Sequence, residues 1–281
     1  MDRRNFLIFS LYFFISIKSY ASMYKTKIFK FIKSNKFLSG KENSVYSLAS
    51  WKNLLYVGLY RSNEVLVINT INNTINQILP IHSPHGIILD NFGNLYVASM
   101  LEGSISFFKK NRINKYRLIK KIKNNDLAKP VSIAYSNNNL YIVNWASHNI
   151  VVTNKEFDFL KIFYFNPLKS KPHSITYLDK RLYITYRSPP SIVILDESGN
   201  LLFDKDLGSN FDPLSITHYK NYFLIPNAKN GQIAVFDKNL NNHYHIEAGN
   251  GLPTYTTVIG DEVYISEENG NRIFRINDLL K

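Results

Sequence analysis

The chain has 281 residues, of which 45% are hydrophobic and 14% aromatic, with no cysteine and a formal charge of +13. That composition supports a large packed core and excludes a disordered or fibrous chain. The missing thiols exclude disulfides, thiolate metal sites and a cysteine nucleophile.

The charge raises the question of an anionic partner. Lysine, however, is abundant together with asparagine and isoleucine, as in Lys120-Lys121-Ile122-Lys123-Asn124-Asn125. The lysines are not interleaved with aromatics in the way a base-stacking groove requires, so no nucleic-acid partner is expected.

Residues 1–21 have the three parts of a secretory leader. Arg3 and Arg4 precede an apolar run from Phe6 to Ile17, and Ser19-Tyr20-Ala21 predicts cleavage after Ala21. The run is too short for a comfortable span, so no stable membrane segment is expected after cleavage. Arg3-Arg4-Asn5-Phe6-Leu7 resembles the twin-arginine export motif, while the Phe- and Ile-rich run resembles a Sec signal. Either route predicts a periplasmic or secreted protein. Losing three cations (Arg3, Arg4, Lys18) and one anion (Asp2) takes the charge from +13 to +11.

Residues 22–281 read as one domain built from six copies of one unit. An apolar-Tyr-apolar core recurs in five copies, centred on Tyr56, Tyr96, Tyr141, Tyr183 and Tyr264; Leu224 is the centre of the fifth unit. The spacing of about 40 residues is that of a four-stranded propeller blade. In five units a proline lies eleven or twelve residues before the centre: Pro84, Pro130, Pro172, Pro213 and Pro253, with Val45 in that place in the first. A short strand follows each, since proline suits a strand's first position. A third strand follows each centre, such as Val65–Ile68 and Ile192–Leu195. Fourth strands are read around 75–81, 116–122, 160–165, 201–207 and 243–247. The sixth unit stops after three, and 24–32 is expected to supply its outer strand. The fold class is therefore all-β: a six-bladed β-propeller of four-stranded blades, the last closed by the N-terminal strand.

First strands of blades line a central channel, so the residues after the prolines form a ring: Tyr46, His85, Val131, His173, Leu214 and Thr254. His85 and His173 fall in alternate blades. Converging neutral imidazoles are what a catalytic zinc needs, so both are candidate metal ligands. The alternative is that each imidazole hydrogen-bonds a neighbouring blade's backbone or water. Past the second strands, Tyr60, Arg61, Trp145, Tyr186 and Arg187 would make a cationic, aromatic rim if they face the same mouth. Glu267-Glu268 is the one acidic pair so placed; Glu268 is a candidate site residue, with surface charge as the other reading. His148 is a weaker rim candidate, His218 lies later in the first strand of blade five and faces either the channel or the sheet packing, and His82, His243 and His245 read as solvated.

Asn269-Gly270-Asn271-Arg272-Ile273-Phe274, and Pro-x-x-Ile followed by Gly-Asn-Leu-Tyr-Val, resemble NHL repeats, a superfamily that includes streptogramin lyase. Pro84-His85-Gly86 and Pro172-His173-Ser174 further resemble two zinc-ligand segments of the peptidyl-α-hydroxyglycine α-amidating lyase family. That resemblance implies zinc on His85 and His173 and substrate contacts from Arg187, with Arg61 one residue out of phase with a second arginine. The third ligand would fall at Thr254, and Trp145 stands near the place of the catalytic tyrosine. Two functions stay open: a monomeric ligand-binding module for a small, anionic molecule or peptide, and a metal-dependent lyase or hydrolase.

Overall fold

In the computed structural model the described residues are 27–28, 44–136, 138–164, 169–248, 251–269 and 272–277. The leader expected over 1–21, and most of 24–32, lie outside them. Strand β1 (Lys27–Ile28) precedes the first blade, which is β2 (Val45–Trp51), β3 (Leu54–Leu59), β4 (Glu64–Asn69) and β5 (Thr74–Pro80). The second is β6 (Pro84–Leu89), β7 (Leu95–Ser99), β8 (Ser104–Lys110) and β9 (Tyr116–Lys123). The third is β10 (Pro130–Tyr135), β11 (Asn139–Asn144), β12 (Asn149–Asn154) and β13 (Phe159–Tyr164). The fourth is β14 (Ser170–Leu178), β15 (Arg181–Ser188), β16 (Pro190–Asp196) and β17 (Leu201–Asp206). The fifth is β18 (Thr217–Tyr219), β19 (Tyr222–Asn227), β20 (Gln232–Asp237) and β21 (Asn242–Glu247). The last is β22 (Pro253–Ile259), β23 (Glu262–Glu267) and β24 (Arg272–Asn277), with β1 hydrogen-bonded to β24 as its fourth strand.

Six antiparallel four-stranded sheets therefore make the propeller. Lys27 pairs with Arg275 and Ile28 with Phe274, so a segment before the first blade completes the last. This closure covers an edge that would otherwise stand open. Six hydrophobic clusters sit one at each junction between blades. Val57 and Leu66 pack on Tyr264 and Ile273, and Tyr141 and Val143 pack on Ile184 and Tyr186. The repeated strand-centre tyrosines are part of this packing.

The inner strands share a defect that positions the site. Pairing slips between Val45 and Ser47, Pro84 and Gly86, Pro130 and Ser132, Pro172 and Ser174, and Pro253 and Thr256. The ring residue is skipped in each case, together with Tyr255 in the last blade. A bulge turns one side chain out of the alternation of its strand, which is how a sheet re-aims a functional group. In the fifth blade β18 is short, and only an isolated Pro213–Asn227 bridge marks the corresponding start.

Candidate functional site at the channel mouth

Tyr46, Tyr60, His85, Met100, Trp145, His173, Arg187 and Glu268 line one cavity of about 250 Å³. Five blades contribute. The ring residues come from inner-strand bulges, and the others from strand ends or turns at the same end of the barrel. The two histidines are buried, with ring centroids 5.1 Å apart. The Tyr46 ring lies 4.4 Å from His85 and 6.4 Å from His173.

Hydrogen bonding fixes both tautomers. His85 Nδ1 is 2.8 Å from the Val131 carbonyl, and His173 Nδ1 bonds the Leu214 carbonyl. A carbonyl only accepts, so each Nδ1 carries the proton and each Nε2 keeps a lone pair. The Tyr46 hydroxyl donates to His173 Nε2 at 3.1 Å. Thr254 repeats the backbone half of this arrangement, its hydroxyl donating to the Tyr46 carbonyl at 2.7 Å. The ring residue of every second blade thus donates to the ring carbonyl of the next blade. Thr254 keeps that bond without offering an Nε2. Its Oγ is also bonded to Ser266.

Burial pushes His85 down to about 4, with the Arg187 charge acting in the same direction and the Val131 bond opposing it. Burial, then His85 and Arg187, hold His173 well below the ordinary histidine range. Both rings are neutral at pH 7. Burial drives the Tyr46 phenol upward, so it remains a donor.

Arg187 is held side-on by Asp212, with Nε and one Nη each 2.6 Å from a carboxylate oxygen. Burial works against its charge and Asp212 more than offsets this, so its pKa is raised. The other Nη makes no hydrogen bond among the described residues. The Trp145 indole has Lys129 and Lys171 ammonium groups 5.5 and 6.0 Å from its ring. Glu268 accepts from Ser44 at 3.2 Å.

Of the residues expected from sequence, His85, His173, Arg187, Trp145 and Glu268 share this cavity, and Arg61 and Tyr186 do not line it. Tyr186 is fully buried in the junction between blades three and four, and Arg61 is exposed beside the inward Tyr60. Glu267 is also buried, against Gly251, where a Cβ would collide with its carboxylate. His148 Nδ1 accepts from the Lys171 amide, His82 and His245 are exposed, and His218 lines a cavity at the opposite end of the channel. The side chain of His243 and residues Gly270-Asn271 lie outside the described set. Sequence reasoning missed Asp212, which shares no repeat position with Arg187, and placed Tyr46 in the ring without counting it in the site.

Comparison with known proteins returned no matching family model and no matching curated protein. Solved structures do match. A catalytically inactive histidine-to-alanine variant of virginiamycin B lyase from Staphylococcus aureus, with quinupristin, has a TM-score of 0.65 at 17% identity, over 85% of this chain and 82% of that one. Hydrazine synthase from Kuenenia stuttgartiensis has a TM-score of 0.65 at 12% identity, over 85% and 97%. A streptogramin B lyase has a TM-score of 0.62 at 14% identity, over 85% and 95%. The likeness is one of fold. At these identities the neighbours, whose chemistries differ, assign none to this chain.

Proposed function

We propose that this is an exported, NHL-like propeller that binds a small molecule or peptide with an anionic group at the His85–His173 mouth. The observation that carries this reading is the pair of tautomer-locked imidazoles facing one cavity beside the Arg187 fork. His85 Nε2 accepts from a ligand hydroxyl or amide, the spare Arg187 donors take a carboxylate or phosphate, and Trp145 and Tyr60 wall the ligand.

Trp51 and Trp145 are the only two indoles, and only Trp145 lines the mouth. In a Trp51→Phe background, titration with small carboxylates, inorganic phosphate and short peptides should give a saturable change in Trp145 emission. Arg187→Met should abolish it. No response to any of these probes, or an equal response without Arg187, overturns the reading. Export is tested by N-terminal sequencing of the mature protein, with an intact Met1 as the adverse result.

One observation favours a second reading, a metal-dependent lyase or hydrolase with His85 and His173 as ligands. An imidazole whose Nδ1–H is tied to a carbonyl presents Nε2 as metal-binding histidines do. The donor set is incomplete: Thr254 supplies no third imidazole, and among the described residues no group of three His, Cys, Asp or Glu could hold a metal. A zinc bound there would act as a Lewis acid or activate water. Metal analysis of untagged protein decides: stoichiometric zinc lost in a His85→Ala/His173→Ala variant that still melts cooperatively supports it, and no affinity for zinc defeats it.

A further inference from the structure

The blades are copies, so a copy that departs from the others marks a local requirement. From 109 to 123 the chain reads Lys-Lys-Asn-Arg-Ile-Asn-Lys-Tyr-Arg-Leu-Ile-Lys-Lys-Ile-Lys, eight cations without one Asp or Glu. This is the end of β8, the 111–115 turn and the outer strand β9, nearly all of it exposed. Equivalent outer strands differ: β5 has no charge, β13 has one lysine, and β17 carries two aspartates to one lysine. The overall lysine bias of the chain does not explain cations gathered on one blade.

Exposed apolar residues sit beside the 109–115 part of this stretch, while β9 runs on toward the other end, where Lys121 pairs with Glu102 at 2.9 Å. Ile71, Phe92 and Ile113 are 78%, 77% and 73% exposed and sit at the tips of three turns. In an antiparallel four-stranded blade, the first and third turns lie at one end and the second at the other. Ile71 is in the third turn of blade one, and Phe92 and Ile113 are in the first and third turns of blade two. All three are at the end of the barrel opposite the His85–His173 mouth. Contacts join these turns: Tyr116 Oη donates to the Gly93 carbonyl at 2.9 Å, and the Tyr116 amide donates to Gln77 on β5 at 2.7 Å. Lys110 Nζ lies 5.5 Å from the Trp51 ring, and Lys52 is near enough that its charge, after burial, helps lower the Lys110 pKa.

We infer that this end of blades one and two docks onto an anionic lipid bilayer, with Ile71, Phe92 and Ile113 entering the interface and Lys52, Lys109, Arg112 and Lys115 meeting the headgroups. Charge alone would fit any polyanion. Prominent aliphatic and aromatic tips among the cations fit a surface that has an apolar layer beneath a negative one. The channel mouth would then point away from the membrane. Among the described residues no helix is long and apolar enough to cross a membrane, so the contact is a peripheral one.

The test is co-sedimentation of the full chain with vesicles of phosphatidylcholine alone or with about one-third phosphatidylglycerol. Every variant keeps the same N-terminus, so its contribution cancels. The wild type should prefer the anionic vesicles. Arg112→Gln/Lys115→Gln should weaken that binding about 25-fold, at roughly fivefold per cation, and Phe92→Ser/Ile113→Ser about tenfold or more. Unchanged thermal unfolding certifies the fold of these exposed-site variants. Equal binding to both vesicles overturns the inference. So does an unaltered affinity of Phe92→Ser/Ile113→Ser, or binding to heparin or duplex DNA as tight as to vesicles, which would indicate a soluble polyanion.

Discussion

The two buried imidazoles make a specific demand on stability at acid pH. His85 is held down to about 4 in the folded protein, chiefly by burial, against an ordinary value of 6.5. Above pH 6.5 it is neutral folded or unfolded and adds no pH dependence. Below that, the unfolded chain takes up a proton that the folded chain refuses, so the neutral-site stability is lost as pH falls toward 4. The loss amounts to about 2 kcal/mol at pH 5 and about 3 kcal/mol at pH 4 from His85 alone. His173 acts in the same direction. Urea unfolding at pH 7.5 and at pH 5 measures this directly. In His85→Gln the amide can still donate to the Val131 carbonyl, but no group titrates. That variant should start less stable at pH 7.5 and lose about 2 kcal/mol less than the wild type on going to pH 5. Carboxylates elsewhere contribute equally to both proteins and cancel. An identical pH dependence in wild type and variant would refute the claim that His85 is buried and neutral.

Four further outcomes follow from particular contacts. A Cβ at Gly86 would stand 2.7 Å from Ser132 Cα and from the Val131 carbonyl oxygen, the acceptor of His85. Backbone cannot yield as a side chain can, so Gly86→Ala should cost about 1–3 kcal/mol and lower Tm by several degrees; an unchanged Tm contradicts the close approach. Arg187→Lys keeps the charge but cannot fork onto Asp212, and should lower Tm by about 2–4 °C through loss of about 1 kcal/mol, with loss of the Trp145 ligand response. Thr254→His adds a third imidazole to the ring, so stoichiometric zinc should survive gel filtration in that variant; none retained would show that the three positions do not converge on one point. Deleting residues 22–34 removes the partner of β24 and should destabilise the fold severely, with unaltered thermal unfolding as the refuting result.

The architecture was legible because a repeat announces itself six times. The strand-centre tyrosines gave the period, and the prolines gave the phase. The channel ring followed from that phase, which is why His85 and His173 were found together. The rest was hidden for identifiable reasons. Neighbouring residues on a strand point to opposite faces, so Tyr186 enters the junction between blades while Arg187, one position on, reaches the mouth. Turn residues obey no such period, and Tyr60 and Arg61 separate inward from outward with nothing in the sequence to say which. Asp212 lies 25 residues from Arg187 and approaches it across a blade boundary. The bulges, too, leave no trace in residue type, since Tyr46, Val131 and Thr254 share only their position.

The alternation around the ring explains why the histidines fit either reading of the site. His85, His173 and Thr254 each close a hydrogen bond to the next blade's ring carbonyl. That bond ties blade to blade and requires only a donor, so a hydroxyl satisfies it as well as an imidazole does. What the hydroxyl cannot supply is the second nitrogen facing the channel. Two of the three positions therefore carry more chemistry than the junction needs, and the surplus is concentrated where Arg187 and Tyr46 meet them. A purely structural ring would be indifferent to replacing either imidazole by another donor of similar size. A binding site would not, and the contrast between His85→Gln and Thr254→Ser in ligand response, measured well below the Tm of each, separates the two.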